Sequence, residues 1–242
     1  MQCSFYTHAT TNSFAELAKN QRLSLGADEL HIHLLRPELY SGIYNEVLDA
    51  FEQQRAASFK FNKDRDLYSA AHVFLRQVLS CYAPVRGKDW QFICNPYGKP
   101  AIVNSGYHWL HFNLSHTHGM VACAVANNRA VGVDVERRKH LEDLPSLCHQ
   151  VFSTLEAEAV LGHKCLADCE HWFFNYWTLK EAYIKARGLG FSLSLQSFSF
   201  VQKIDQSWGL LYDAHCDNDG KNWSVGTHLL QDNIYLAYCL QA

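Results

Sequence analysis

Gly132-Val133-Asp134-Val135-Glu136 is the segment whose residue types and spacing point most directly to chemistry. In an extended strand, Val133 and Val135 share one face, and Gly132, Asp134 and Glu136 share the other. The two carboxylates then stand roughly 7 Å apart along the strand and can converge on one hard cation, Mg²⁺ or Mn²⁺. The same pattern equally suits a strand with one solvated face, neutralised by Arg137-Arg138-Lys139. Asn113-Leu114-Ser115-His116 reads as a strand end, and Thr117-His118-Gly119 as the turn that follows. A hydroxyl, an imidazole and turn amides can gather around a phosphate, although an ordinary polar turn has the same composition. Further on, Trp177-Thr178-Leu179-Lys180-Glu181-Ala182-Tyr183-Ile184-Lys185 reads as a helix. Glu181 and Lys185 are i, i+4 and share a face, while Lys180 is turned to a neighbouring one. That pair is either a surface salt bridge or part of a packed helix. Trp172, Phe173, Phe174, Tyr176 and Trp177 favour packing, and a half-buried Glu–Lys face then requires a partner such as a metal–phosphate pair.

The chain that must position these residues has 242 residues, 48% of them hydrophobic and 13% aromatic, which suffices for a buried core. Lys plus Arg is 21 against 24 Asp plus Glu, a net charge of −3, so a globally basic nucleic-acid binder is excluded. The longest apolar run, Met120 to Ala126, falls far short of the ~20 residues a membrane-spanning helix needs. No basic stretch followed by an apolar one marks the first residues, so a soluble cytoplasmic protein is expected. The 9 cysteines are scattered and read as reduced, packed thiols. Cys148, His149, His163, Cys165, Cys169 and His171 cluster in the sequence but include no Cys-x-x-Cys pair, so packing is a better reading than zinc. His31, His33 and His118 are read as structural.

Apolar spacing predicts two helices within Tyr44 to Leu79, broken near Phe61-Asn62, and further helices over Phe152 to Leu161 and Trp172 to Arg187. Strands are predicted at Trp90 to Cys94, Trp109 to Asn113, Met120 to Ala126 and Ala130 to Glu136, with an Asn127-Asn128 hairpin turn joining the last two. Four more are predicted at Ser197 to Val201, Gly209 to Tyr212, Trp223 to Leu229 and Ile234 to Leu240. Helices followed by a small antiparallel meander thus occur twice. The expected fold is α+β, with two similar halves, residues 1–127 and 128–242, related by a pseudo-twofold axis.

Together, Asn-x-Ser-His, Gly-Val-Asp-Val-Glu and Trp-Thr-x-Lys-Glu-Ala-x-x-Lys resemble the 4'-phosphopantetheinyl transferases, in particular their long, pseudo-dimeric type. Gly98-Lys99-Pro100 resembles an upstream element of that family, and Gly-Leu-Gly-Phe-Ser-Leu after the helix extends the likeness. The resemblance implies transfer of phosphopantetheine from coenzyme A to a serine of an apo acyl or peptidyl carrier protein by a monomeric enzyme. It implies Asp134, Glu136 and Glu181 as Mg²⁺ ligands, with Mn²⁺ an alternative, and Lys185 at the pyrophosphate with Lys180 as a helper. It also implies Ser115 and His116 at coenzyme A phosphates, with His116 on the 3'-phosphate, and Lys99 and Pro100 beside the adenine nucleotide. Glu156 matches a further acidic position of the family, and Glu181, or a metal-bound water that it orients, is the candidate base. Where the family often carries a second Arg in Asp-Arg-x-Arg, this chain has Leu67, so that either Arg65 or Arg76 substitutes or the 3'-phosphate is held less tightly.

Overall fold

A computed structural model describes residues 1–8, 22–39, 46–212 and 222–242. Tyr44, where the first predicted helical stretch begins, and Cys216 lie outside them. Residue contacts divide the chain into two units, Met1–Asn95 with Pro100–Arg129 and Pro96–Lys99 with Ala130–Ala242. Both combine helices with small, mainly antiparallel sheets, an α+β architecture. Among the described residues, no helix is long and apolar enough to cross a membrane.

The first unit contains strands β1 (Gln2–His8) and β2 (Glu29–Leu35), helices α1 (Ala50–Ala57) and α2 (Asn62–Ser80), and strands β3 (Phe92–Cys94), β4 (Pro100–Ile102), β5 (Leu110–Thr117) and β6 (Met120–Asn127). Its main sheet has the order β1-β2-β6-β5, with β1 and β2 parallel. β6 is buried from Met120 to Ala126, as befits a central strand covered on both faces. On α2, Ala70, Ala71, Phe74 and Val78 form the helical stripe that enters the core. Asp49 and Glu52 form a capping box that starts α1. Arg76 is fully buried, donating to Glu52 (2.8 Å), Asp49 (2.7 Å) and the carbonyls of Gly87 (3.0 Å) and Trp90 (2.9 Å). It fastens α1 to α2, which removes it as a coenzyme A contact. His31 and His33 are buried and meet at the Tyr82 hydroxyl, with His8 bonded to His33, a structural polar chain.

The second unit contains β7 (Val131–Arg137), α3 (Leu144–Val151), α4 (Thr154–Leu161), α5 (Leu166–Arg187), β8 (Phe198–Gln202), β9 (Trp208–Tyr212), β10 (Trp223–Leu230) and β11 (Ile234–Gln241). β10, β11 and β7 form an antiparallel sheet in that order, and β8 pairs with β9. α5 packs on β7 and β11, and its aromatic residues supply much of the core. The helix ends at Gly188, whose φ of 64° is the left-handed conformation glycine adopts freely and whose N–H caps the Ile184 carbonyl.

One expectation changes at the centre of the chain. Asn128 does take a positive φ of 51°, but β6 and β7 do not pair, because β6 lies between β2 and β5 while β7 joins β11. Asn113-Leu114-Ser115-His116 does end a strand: β5 stops at Thr117, and the turn to β6 follows at His118 and Gly119.

Candidate active site

β7 and α5 position the carboxylates. Alternation along β7 turns Gly132, Asp134 and Glu136 toward α5, and each meets the helix. At Gly132, an added Cβ would come within 1.9 Å of the Ala182 carbonyl oxygen and 2.5 Å of the Ala186 nitrogen, so the backbones approach as closely as glycine allows. Lys185 Nζ donates to Asp134 Oδ1 at 2.5 Å. Trp177 Nε1 donates to Glu136 Oε1 at 3.4 Å. Lys185 thus reaches across to the strand, in place of the within-helix Glu181–Lys185 pair that the spacing allows. Glu181 Oε1 is buried and accepts no hydrogen bond among the described residues.

The three carboxylates feel one another. Burial pushes the Glu181 carboxyl above its ordinary value, and the Asp134 and Glu136 charges add to this while Lys185 opposes it. Glu136 is likewise raised by burial and by Asp134, against the Trp177 hydrogen bond, Lys185 and Lys139. An all-oxygen donor set with excess negative charge and an unsatisfied buried oxygen fits Mg²⁺. As the side chains stand, however, no group of three or more His, Cys, Asp or Glu that could hold a metal ion occurs among the described residues. The Lys185 ammonium already takes part of the charge of Asp134. Beside Glu136 opens a cavity of about 240 Å³, walled by Leu141, Leu147, Phe173, Phe174 and Trp177 with Lys139 at its edge.

Glu156 and Lys180 form a different constellation in the same unit. Both are fully buried and pair at 2.7 Å. Glu156 also accepts from Ser153, closing the capping box of α4, and from the Phe200 amide at 2.8 Å. Lys180 donates to the carbonyls of Leu195 and Phe198, each at 2.6 Å. Their polar atoms are engaged by protein groups, and the bonds they make join α4, α5 and β8. Breaking a buried pair leaves an uncompensated charge, so Glu156→Gln is expected to destabilise the fold by about 3–5 kcal/mol. Thermal unfolding checks this; an unchanged midpoint with lost activity would instead place Glu156 in the chemistry.

In the first unit, the side chains of Ser115 and His116 do not converge. Neighbouring positions of a strand point to opposite faces, and Ser115 is buried while His116 is exposed. Arg65 is exposed on α2, 3.6 Å from Asp66. Pro100 opens β4. A cavity of about 450 Å³ is lined by Leu67, Lys63 and His118 together with the acidic Glu38, Asp64 and Asp66. His118 lies in the turn between β5 and β6, as its local sequence suggests. Lys99, in the second unit, directs its ammonium to the carbonyls of Val131 (3.0 Å) and Ala186 (2.8 Å).

Residues 130–239, which include both β7 and α5, match the 4'-phosphopantetheinyl transferase superfamily. The 4'-phosphopantetheinyl transferase HetI of Nostoc sp. is 36% identical over 183 residues, covering 72% of this chain and 75% of that protein. The 4'-phosphopantetheinyl transferase Sfp of Bacillus subtilis is 30% identical over 148 residues, covering 61% of this chain and 63% of that protein. A solved holo-(acyl-carrier-protein) synthase from Bacillus anthracis in complex with coenzyme A is 16% identical, with a TM-score of 0.39, covering 46% of this chain and 94% of that one. The chain belongs to the 4'-phosphopantetheinyl transferase superfamily.

Proposed function

We propose that the chain moves the 4'-phosphopantetheine arm of coenzyme A onto a serine hydroxyl of an apo acyl or peptidyl carrier protein, with Mg²⁺, releasing adenosine 3',5'-bisphosphate. The observation that carries this reading is the packing of Asp134, Glu136 and Glu181 between β7 and α5, with Lys185 against Asp134 and Glu181 Oε1 without a hydrogen bond among the described residues. Asp134, Glu136 and Glu181 would hold Mg²⁺, or Mn²⁺, which when bound offsets the charge of the coenzyme A pyrophosphate. Glu181, its carboxyl held high by burial and neighbouring charge, is suited to accept the serine proton. As the serine oxygen bonds to the pantetheine-side phosphorus, the bond from that phosphorus to the leaving adenosine bisphosphate breaks. Lys185 opposes the negative charge that builds on the leaving group. His116, the exposed member of its pair, is the contact for the 3'-phosphate.

Arg137-Arg138-Lys139 is the candidate docking patch for the carrier; within it Arg138 is bound to Glu170 at 3.0 Å and to the Ala167 carbonyl at 2.9 Å. His116→Ala is expected to raise the KM for coenzyme A by about tenfold, a loss of roughly 1.4 kcal/mol, and to leave that for dephospho-coenzyme A nearly unchanged. Steady-state kinetics with both substrates decides it, and equal losses would refute the 3'-phosphate assignment. The reading as a whole is tested by following adenosine 3',5'-bisphosphate. Its release should require carrier and divalent cation together. Release without carrier would favour a phosphohydrolase, and coenzyme A binding without release a non-catalytic binding module.

A further inference from the structure

We infer that Lys99 is a positioning residue of this site, clamping the last turn of α5 to the first residue of β7, an inference that rests on the transferase reading above. A helix leaves its last four carbonyls without partners inside the helix, and its C-terminal end carries negative partial charge. Ala186 supplies one such carbonyl. It is met by the Lys99 ammonium at 2.8 Å, while the same ammonium holds the Val131 carbonyl of β7 at 3.0 Å. Burial pulls Lys99 down to about 8, a cost that an ammonium bears only where hydrogen bonds offset it. Here those bonds join the two elements that carry Asp134, Glu136, Glu181 and Lys185.

The placement is specific. Ala186 directly follows Lys185, and Val131 directly precedes Gly132, where α5 and β7 touch backbone to backbone. The lysine itself comes from the Pro96–Lys99 turn, where Tyr97 lies against Gly190 just beyond the helix. Gly132 sets how near α5 can come, and Lys99 keeps its end from swinging away. Without the clamp, the last turn of α5 frays and takes Lys185 from Asp134. This differs from a contact to the adenine nucleotide, the role the family resemblance implies for Lys99.

The test compares Lys99→Met with Lys99→Arg, the latter keeping the charge and both donors; Lys99→Gln replaces the first should it not fold. Metal-free protein is exposed to an amine-acylating reagent, and Lys185 modification is followed by peptide mass spectrometry. Kinetics are measured in parallel. Lys99→Met should speed Lys185 acylation about tenfold and lower kcat about ten- to a hundredfold, with the KM for coenzyme A changed by no more than about twofold. Lys99→Arg should restore most of both. Unchanged Lys185 acylation would overturn the clamp whatever the activity. A large rise in the KM for coenzyme A at unchanged kcat would return Lys99 to the nucleotide. Absence of transfer by the wild-type chain would defeat the transferase reading instead, and Lys185 acylation alone would then decide whether the clamp exists.

Discussion

Glu181→Gln is expected to lower kcat by about 10²–10³ while leaving the protein folded, because removing one preorganised charged contact to a transition state typically costs about 3–4 kcal/mol. The substitution keeps the size of the side chain and removes both its charge and its capacity to accept the serine proton. In the wild type, Glu181 Oε1 is buried with no hydrogen-bond donor among the described residues, so the substitution sacrifices no bond at that atom. Its raised carboxyl also fixes the sign of a pH effect in metal-free protein. A carboxyl raised in the folded state favours folding below the ordinary carboxylate range, and that advantage is lost as pH rises through the raised value. Above that window, the Gln variant should therefore unfold at a temperature equal to or higher than the wild type. Kinetics and thermal unfolding across pH check both parts. A fully active Gln variant would remove Glu181 as ligand and base alike.

The second large effect is structural. Gly132→Ala places a Cβ 1.9 Å from the Ala182 carbonyl oxygen and 2.5 Å from the Ala186 nitrogen, both backbone atoms of α5 that cannot rotate aside. Relief requires the whole helix to lift from β7. Overpacking of this kind costs roughly 3 kcal/mol or more, and at this chain length a melting point lower by about 10 °C. Activity should fall further than the loss of folded protein explains, since the same movement separates Lys185 from Asp134. A melting temperature like that of the wild type would show that α5 is not held against this strand.

What the sequence disclosed follows from which physical rules leave a local trace. The alternation around Asp134 and Glu136 and the helical spacing of Glu181 and Lys185 are local patterns, and in the structure the strand face and the helix they define meet. The α5 C-terminus is written in Gly188, and the break between α1 and α2 falls where the apolar spacing lapses. β2 is absent from the predicted strands although Leu30-His31-Ile32-His33-Leu34 alternates apolar with polar types; the histidine side is buried as well, meeting the Tyr82 hydroxyl. α3 is likewise absent from the predicted helices, although Asp143 caps it and Pro145 lies in its first turn. What the sequence does not display is how its charges are partnered. Arg76, Lys180 and Glu156 look like surface or ligand-binding residues in one dimension, yet each is buried against partners distant in sequence, as is the Lys99 ammonium against two backbone carbonyls. Such partnerships are created by the fold, and no spacing rule anticipates them.

The central claim is group transfer, and it is most directly tested by the intact mass of an apo carrier protein incubated with this chain, coenzyme A and Mg²⁺. The expected result is a mass gain of one phosphopantetheine arm, absent when EDTA removes the cation. No gain on peptidyl, fatty-acid and polyketide carriers alike, from a folded protein that binds coenzyme A, would contradict the account.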